Sequence, residues 1–317
     1  MQMRPLGSTG LEIAPLVFGG NVFGWTADEK RSFELLDLFV DTGFNAIDTA
    51  DSYSRWADGH VGGESETIIG NWLKANPAKR DKVVVFTKVG SDMGQGKKDL
   101  SAKWIVEEVE HSLKRLGIER IDLYFSHWPD PTVEHEETLR AYETLIGQGK
   151  VRSIGASNYD AKMLADALDV AKDNGLPRYE VIQPVYNLYM RETLEGALLD
   201  TAKAENIGVV TYSSLGSGFL SGKYRSRDDA SKSPRGGGIM DKYMNERGLK
   251  ILGAVEEMAD RHGATMAEIA IAWIVHRDGV TAPIASATSA EQLHSLMKAA
   301  SLALSADDMA ALDAASA

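Results

Sequence analysis

Short apolar runs alternate along most of the chain with longer stretches whose apolar residues recur at helical spacing. Buried parallel strands give short continuous apolar runs, and surface helices give a repeat of 3.6 residues. The runs predict eight strands, at Leu16–Gly20, Ala46–Ala50, Val83–Val89, Ile121–His127, Val151–Ser157, Val181–Asn187, Val209–Leu215 and Ala282–Thr288. Strands in such an order are expected to pair in parallel through right-handed helical crossovers.

Between the predicted strands, apolar residues recur at the spacing of an α-helix. A first helix begins near Asp28 and ends at Gly43, and Ser101 and Gly117 are suited to cap the two ends of another. The remaining helical stretches lie near residues 64–75, 101–116, 133–147, 160–174, 192–205 and 249–275. Eight strand–helix units favour an α/β fold closed into a (β/α)8 barrel, the TIM barrel. An open doubly wound sheet is the competing fold, but Gly19-Gly-Asn-Val-Phe-Gly24 lacks the glycine spacing it requires.

Two segments depart from the strand–helix alternation. Residues 1–15 contain a Gly-Ser-Thr-Gly turn between short strands, which predicts an N-terminal β-hairpin. Residues 216–247, which include Pro234-Arg-Gly-Gly-Gly238, predict a long loop after the seventh barrel strand, and a loop of this length is usually a lid or binding loop. No linker or repeat divides the chain, so we expect a single domain over residues 1–317.

Composition narrows the possible partners. The net charge of −12 makes nucleic acid an unexpected partner, because a phosphate backbone repels an acidic protein. The chain has no cysteine, which excludes disulfides, thiolate catalysis and thiolate metal sites, and the sequence indicates no metal site of another kind. The N-terminus has no signal-like apolar core and no apolar run approaches membrane-spanning length, so we expect a cytoplasmic protein without a membrane partner.

Residues with acid–base chemistry stand at the ends of three successive predicted strands. Asp48 lies near the end of the second strand with Tyr53 in the loop beyond, Lys88 near the end of the third, and His127 at the end of the fourth. Barrel strands bring their carboxyl ends to one rim, so we expect these side chains to meet. An ammonium lowers the pKa of a neighbouring phenol, a carboxylate keeps the ammonium charged, and an imidazole can orient a substrate oxygen. The set predicts proton delivery to a carbonyl group.

Each of these residues also has an ordinary structural interpretation. Asp48 could cap the turn after its strand, Tyr53 could be a rim aromatic, and His127 could be a hydrogen-bonded histidine without a chemical role. Lys88 is harder to explain in this way, because buried lysines are rare unless paired. The position of all four at consecutive strand ends favours a joint function.

Three motifs, Asp48-Thr-Ala-Asp-Ser-Tyr53, Thr87-Lys88 and His127-Trp-Pro-Asp130, resemble the aldo-keto reductase superfamily in order and spacing. The resemblance covers nearly the whole chain, from Arg4-Pro-Leu-Gly-Ser-Thr-Gly-Leu11 to Tyr212-Ser-Ser-Leu-Gly216 and beyond. The length and the Gly218-Phe-Leu-Ser-Gly-Lys-Tyr224 segment are more similar to the bacterial members related to potassium-channel β subunits than to the short aldose-reductase type.

The resemblance implies a role for each matching residue. Tyr53 would be the general acid, Lys88 and Asp48 its tuning pair, and His127 the residue that orients the carbonyl group. It also implies a nicotinamide cofactor held by three groups of residues. These are Ser157, Asn158 and Gln183 at the carboxamide with Tyr212 on the ring, then Ser213, Leu215, Gly218 and Lys223 at the pyrophosphate, and Ser286, Thr288 and Gln292 at the adenosine end.

The residues themselves support the cofactor assignment only in part. Gln183 in an apolar strand needs a hydrogen-bond partner, which a carboxamide would supply, whereas Ser157 and Asn158 suit a cap for the helix beginning near Asp160 equally well. The resemblance favours NADP(H). The segment from Ser286 to Gln292 has no cation for a 2′-phosphate, so NAD(H) stays open, although hydroxyls at a helix start can bind phosphate.

Trp25 and Trp128 lie just past the first and fourth strands and are expected either to wall a substrate pocket or to pack in the core at the barrel top. The sequence therefore predicts an NADP(H)-dependent enzyme that reduces small aldehydes or ketones. Two alternatives remain: a cofactor-binding regulatory subunit with little turnover, and a barrel hydrolase using Asp48 with Asp51.

Overall fold

The computed structural model describes residues 1–232 and 236–317. The strands are β1 (Arg4–Pro5), β2 (Glu12–Ile13), β3 (Val17–Gly19), β4 (Ala46–Asp48), β5 (Val84–Val89), β6 (Ile121–Ser126), β7 (Val151–Ser157), β8 (Val181–Gln183), β9 (Gly208–Thr211) and β10 (Ala282–Ala285). Eight of them are parallel and close into a barrel in the order β10-β3-β4-β5-β6-β7-β8-β9, and an antiparallel hairpin of β1 and β2 precedes the barrel. The predicted (β/α)8 barrel and N-terminal hairpin are confirmed.

Helices surround the barrel and connect its strands. The described α-helices are α1 (Glu29–Asp41), α2 (Glu64–Ala75), α3 (Ala102–Leu116), α4 (His135–Gly147), α5 (Ala161–Asn174), α6 (Ala197–Ala204), α7 (Gly236–Tyr243), α8 (Glu246–His262), α9 (Met266–Val275), α10 (Ala290–Ala299) and α11 (Ala306–Ser316). Short 3-10 segments lie at Gly20–Val22, Pro77–Lys82, Gly216–Ser221 and Arg227–Lys232. No helix in the described residues is long and apolar enough to cross a bilayer.

Two sequence-based expectations about helices need correction. The stretch near residues 249–275 is two helices, because Gly263 ends α8 in a left-handed conformation and Thr265 opens α9 with a capping box. The apolar spacing continues through both helices and so conceals the break. The segment 216–247 is more regular than a loop, since it contains two 3-10 segments, α7 and the start of α8. Pro234 and Arg235 within it lie outside the described residues.

Alternation along the strands separates the barrel interior from the helix layer. On β5, Val84 and Phe86 belong to the interior apolar cluster, so Lys88 points to the same side two residues further on. Thr87 points to the opposite side, where its hydroxyl donates to Glu66 of α2. Glu66 also accepts from Arg115 Nε of α3 at 2.6 Å. One strand therefore carries an interior lysine and an anchor to the helix layer side by side.

The hairpin closes the amino-terminal end of the barrel. Leu6, Leu11 and Ile13 are buried and belong to the same apolar cluster as the interior strand residues. The Arg4 guanidinium donates to the Val275 carbonyl at 2.9 Å and to carbonyls near the start of β10. The opposite end, where the strands finish, is left for the polar side chains at the rim.

Helices α2 and α3 pack at a glycine contact. A Cβ built on Gly70 would overlap the carbonyl oxygen of Arg115 and lie 2.8 Å from the carbonyl carbon of Leu116. Gly253 on α8 is exposed, and a Cβ built there meets no atom within 4 Å. Both glycines are therefore helical, but only Gly253 has room for a side chain.

We expect Gly70→Ala to lower the free energy of unfolding by about 1–3 kcal/mol, because backbone atoms of α3 must move. Gly253→Ala should raise it by about 0.5–1 kcal/mol, because alanine favours the helix. Urea unfolding followed by circular dichroism measures both. Equal effects of the two substitutions would contradict the close approach of α2 to α3.

Candidate active site

The Lys88 ammonium lies at the centre of a buried cluster at the carboxyl end of the barrel. Its Nζ donates to Asp48 Oδ2 at 2.7 Å, to the Thr49 carbonyl at 2.8 Å and to the Tyr53 hydroxyl at 2.8 Å. These acceptors match the three N–H groups of an ammonium. The side chain is completely buried, so the cluster provides all its solvation.

Asp48 joins this cluster to the neighbouring part of the barrel. Its Oδ2 also accepts from the Tyr53 hydroxyl at 3.1 Å, and its Oδ1 accepts from Gln183 Nε2 at 2.9 Å. All the donors to its carboxylate among the described residues are side chains and none is a backbone N–H of the following turn, so Asp48 does not cap the turn after β4. The structure brings three of the four expected acid–base residues into direct contact.

Burial and charge set the protonation of Tyr53 and Lys88. Burial raises the pKa of the Tyr53 phenol well above its usual value, and the Asp48 carboxylate raises it further. The net direction is therefore upward, so the expectation of a lowered pKa for Tyr53 is not met in this arrangement, while the Lys88 ammonium still contacts the phenol oxygen and favours the phenolate when it forms. Burial lowers the pKa of Lys88, while Asp48 opposes that shift. Tyr53 is a phenol that retains its proton at neutral pH.

His127 follows β6 and contributes a neutral imidazole beside the phenol. The rings of Tyr53 and His127 lie 6.0 Å apart, and His127 Nδ1 is 3.0 Å from Ser91 Oγ. Burial lowers the pKa of His127 well below its usual value, and the positive charges of Lys88 and Lys98 add to this shift. The imidazole is therefore uncharged at neutral pH, and its single N–H can donate one hydrogen bond.

Aromatic rings form a continuous wall along the rim. Trp25 lies 5.7 Å from Trp56, Trp56 lies 5.9 Å from Tyr53, and His127 stacks on Trp128 at 5.7 Å. Trp25 and Trp128 are half-buried and lie outside the apolar core clusters, so the core interpretation is wrong for both.

Two residues of this rim were not identified from the sequence. Trp56 is 50% exposed in a polar loop, and its spacing of three residues from Tyr53 was the available signal. Lys98 Nζ lies 4.3 Å from the ring centre of Trp128. No sequence pattern indicates that contact, because it depends on how the loop after β5 folds back.

The residues expected at the nicotinamide carboxamide form one hydrogen-bonded group. Asn158 Nδ2 donates to the His127 carbonyl at 2.8 Å and to Ser157 Oγ at 3.2 Å, while Asn158 Oδ1 accepts from the Tyr212 hydroxyl at 2.7 Å. Ser157 Oγ donates to the Gln183 carbonyl at 2.8 Å. A bound carboxamide would have to exchange some of these bonds for its own.

The capping interpretation of Ser157 and Asn158 is wrong. Asp160 is the N-cap of α5, where its side chain accepts from the Met163 backbone N–H. Asn158 has a left-handed backbone with φ of 63°. Such strain in a non-glycine residue is typical of functional sites, and its side chain turns back to the rim instead of the helix.

The segment after β9 is built from left-handed residues. Ser213 has φ of 57°, and Gly216, Ser217 and Gly218 follow with φ of 55°, 58° and 96°. A Cβ on Gly218 would lie 3.2 Å from the side chain of Lys223, so a larger residue would crowd that lysine. Leu215 is half-buried at the start of the 3-10 turn. Successive glycines and strained serines favour close approach of the backbone to a ligand.

A cavity of about 360 Å³ lies beside this segment. The expected residues Tyr212 and Ser213 line it together with Ser217 and Lys242, which the sequence did not identify. Lys242 lies on α7, in a segment where only a long loop was predicted. An aromatic ring, hydroxyls and a cation around one cavity fit the ring, ribose and phosphate portions of a dinucleotide.

The residues expected at the adenosine end meet at the start of α10. Ser286 Oγ donates to Asn21 Oδ1. Gln292 Oε1 accepts from the Thr288 backbone N–H at 2.9 Å and from the Thr288 hydroxyl at 3.2 Å, while Ser289 caps the helix. The group presents hydroxyls and amides.

The Asp51 carboxyl makes no hydrogen bond to the acid–base cluster, although the Asp51 backbone N–H donates to the Lys88 carbonyl at 3.2 Å. The carboxyl is completely buried, and neither oxygen has a hydrogen-bond partner among the described residues. Burial raises the pKa of Asp51 well above its usual value, and Glu66 and Glu108 raise it further. A hydrolase mechanism needs two acids that face a shared substrate, and the completely buried carboxyl of Asp51 has no access to one.

Comparison with known proteins identifies the family. The sequence matches the family model described as "Aldo/keto reductase family" over residues 15–317. The aldo-keto reductase YhdN of Bacillus subtilis is 33% identical, over 97% of this chain and 91% of its own length. A probable voltage-gated potassium channel subunit beta of Oryza sativa is 33% identical, over 94% of this chain and 91% of its own length. The L-glyceraldehyde 3-phosphate reductase of Escherichia coli is 30% identical, over 99% of this chain and 92% of its own length. The chain belongs to the aldo/keto reductase family of oxidoreductases.

Proposed function

We propose that this chain, as one domain over residues 1–317, reduces small aldehydes or ketones to alcohols with NADP(H). The observation that carries the proposal is the contact of the Lys88 ammonium with the Tyr53 hydroxyl at 2.8 Å. A completely buried ammonium contributes little to stability at an open rim. Next to a phenol, however, it stabilises the phenolate that forms when the phenol gives up its proton.

The chain's own residues would move the proton. The cofactor, when bound, supplies a hydride to the carbonyl carbon. The Tyr53 hydroxyl turns from Asp48 to the carbonyl oxygen and donates its proton as negative charge develops there. Lys88 already donates to the Tyr53 oxygen and so stabilises the phenolate that results. Asp48 holds Lys88 in place, and His127 donates a hydrogen bond to the same carbonyl oxygen.

The cofactor groove would run from Ser157, Asn158 and Gln183 past Tyr212 to the segment of Ser213, Leu215, Gly218 and Lys223, with Ser286, Thr288 and Gln292 at its far end. The geometry that supports this course is the cavity beside Tyr212 and the left-handed residues at its edge. Trp25 and Trp128 would flank the substrate, with Trp56 between Trp25 and Tyr53.

A regulatory subunit is the second candidate from the sequence. The rice relative is named as a potassium-channel subunit, but a complete acid–base cluster favours turnover in this chain. A cytoplasmic location and a small-molecule carbonyl partner belong to the same proposal. The assay below separates the two functions, because a regulatory subunit would bind cofactor without steady-state reduction.

Tyr53→Phe is expected to lower kcat for aldehyde reduction by about 10³-fold, because the proton donor is removed. Binding of NADPH should persist, since the cofactor does not depend on that hydroxyl. Loss of NADPH absorbance with a panel of aldehydes measures turnover, and calorimetry measures binding. Tyr186→Phe is the matched control, because the Tyr186 hydroxyl donates to Glu195 away from the rim. Turnover at the wild-type rate in Tyr53→Phe would refute the proposed acid.

Lys88→Met is expected to abolish turnover and to lower the free energy of unfolding by about 3 kcal/mol, because Asp48 is left buried without its cation. The double variant Asp48→Asn/Lys88→Met should recover part of that stability, because it removes the isolated charge. Urea unfolding of the three proteins tests this order. A single variant as stable as the wild type would show that the pair is not buried together.

Tyr212→Ala is expected to weaken NADPH binding by about 1–3 kcal/mol if the ring stacks on the cofactor. Tyr212→Phe retains the ring and loses only the bond to Asn158, so it should keep most of the affinity. Calorimetric titration with NADPH and with NADH compares the variants and decides the cofactor preference. Equal losses in both variants would assign the effect to the hydroxyl instead of the ring.

A further inference from the structure

Ser91 lies where the loop after β5 passes behind the imidazole of His127. Its Oγ is 3.0 Å from His127 Nδ1, and the residue is buried. The loop fixes this position, because Gln95 Nε2 donates to the Ser91 carbonyl at 2.8 Å and Gln95 Oε1 accepts from the Met93 N–H at 2.7 Å. The serine is therefore held against the ring by its own loop.

The rest of His127 is held independently of Ser91. Its backbone N–H donates to the Val89 carbonyl at 2.8 Å, its own carbonyl accepts from Asn158, and its ring stacks on Trp128. Its Nε2 has no hydrogen bond to a described residue and is not among their buried unpartnered atoms, so it opens on the cleft. What these contacts leave undetermined is which ring nitrogen carries the hydrogen.

That choice decides whether His127 can act on a carbonyl group. A neutral imidazole has one N–H, and only the tautomer with hydrogen on Nε2 donates toward the cleft. The Ser91 hydroxyl has no other acceptor among the described residues, so donation to Nδ1 is the arrangement that gives its hydrogen a protein partner. In that arrangement Nδ1 carries a lone pair and the ring hydrogen lies on Nε2. The opposite tautomer would turn a lone pair toward the carbonyl oxygen and repel it.

We propose that Ser91 is a positioning residue that holds His127 as the Nε2–H tautomer and so makes it a hydrogen-bond donor to the substrate. The identity of the recipient, a carbonyl oxygen, rests on the proposed function, whereas the tautomer is a property of the protein alone. Ser91 does not touch the reacting atoms and acts only through the imidazole.

Nitrogen-15 NMR of the full-length protein with labelled histidines tests the tautomer directly. The chain has 7 histidines, and the signals that vanish in His127→Asn identify the residue. In the wild type at neutral pH, we expect Nε2 of His127 to show a protonated shift and Nδ1 an unprotonated one. Ser91→Ala should give a mixture of tautomers, and Ser91→Thr, which keeps the hydroxyl, should restore the wild-type pattern.

Kinetics supply the second readout. Ser91→Ala is expected to lower kcat/KM for aldehydes about tenfold, the value of one hydrogen bond, mainly through kcat. Ser91→Thr should recover it, and Ser8→Ala, a control at the closed end of the barrel, should have no effect. Tautomer signals unchanged in Ser91→Ala overturn the proposal and leave the reductase assignment intact. A wild type with the expected tautomer but no reduction of any aldehyde defeats the proposed function and leaves the role of Ser91 in setting the tautomer standing.

Discussion

The buried ammonium of Lys88 is the constraint on which the rim is organised. A cation without solvent contact is stable only if protein groups replace all of its water, and here a carboxylate, a carbonyl and a phenol do so. All three acceptors lie on β4 or in the loop that follows it, whereas the ammonium is on β5. The two strands must therefore be aligned closely for the cluster to form. The requirement explains why Asp48 and Tyr53 stand where they do, whatever substrate the rim accepts.

The hydrogen bonds of Asp48 extend through Gln183 to Ser157 and Asn158, the residues proposed to bind the carboxamide. The Gln183 amide donates to Asp48, and the Gln183 carbonyl accepts from Ser157, which in turn bonds Asn158. The residues proposed for acid–base chemistry and those proposed for cofactor binding therefore belong to one hydrogen-bond network. A ligand that exchanged one bond in this network would alter the surroundings of Asp48.

The barrel and its rim residues were largely predictable from the sequence, because buried strands and their polar ends have a simple pattern. Lys88 indicated the site because a lysine in an apolar strand is expected to be buried, and buried lysines are rare unless they are paired. The contacts of Ser91, Lys98, Ser217 and Lys242 were not predictable, because each depends on how a rim loop or short helix folds back. The break between α8 and α9 was missed because both helices share one apolar spacing across Gly263. The net direction of the Tyr53 pKa shift could not be predicted, because the extent of burial cannot be measured from spacing.

The opposite orientations of Thr87 and Lys88 make β5 intolerant of a change in length. Inserting or deleting one residue before Thr87 would reverse the orientation of both side chains, turning the threonine into the barrel and the ammonium out of it, away from Asp48 and Tyr53. The bond from Thr87 to Glu66, itself held by Arg115, opposes such a slip from the outer face. An interaction among α2, α3 and β5 on the outer face of the barrel thereby fixes the register of the strand that carries Lys88.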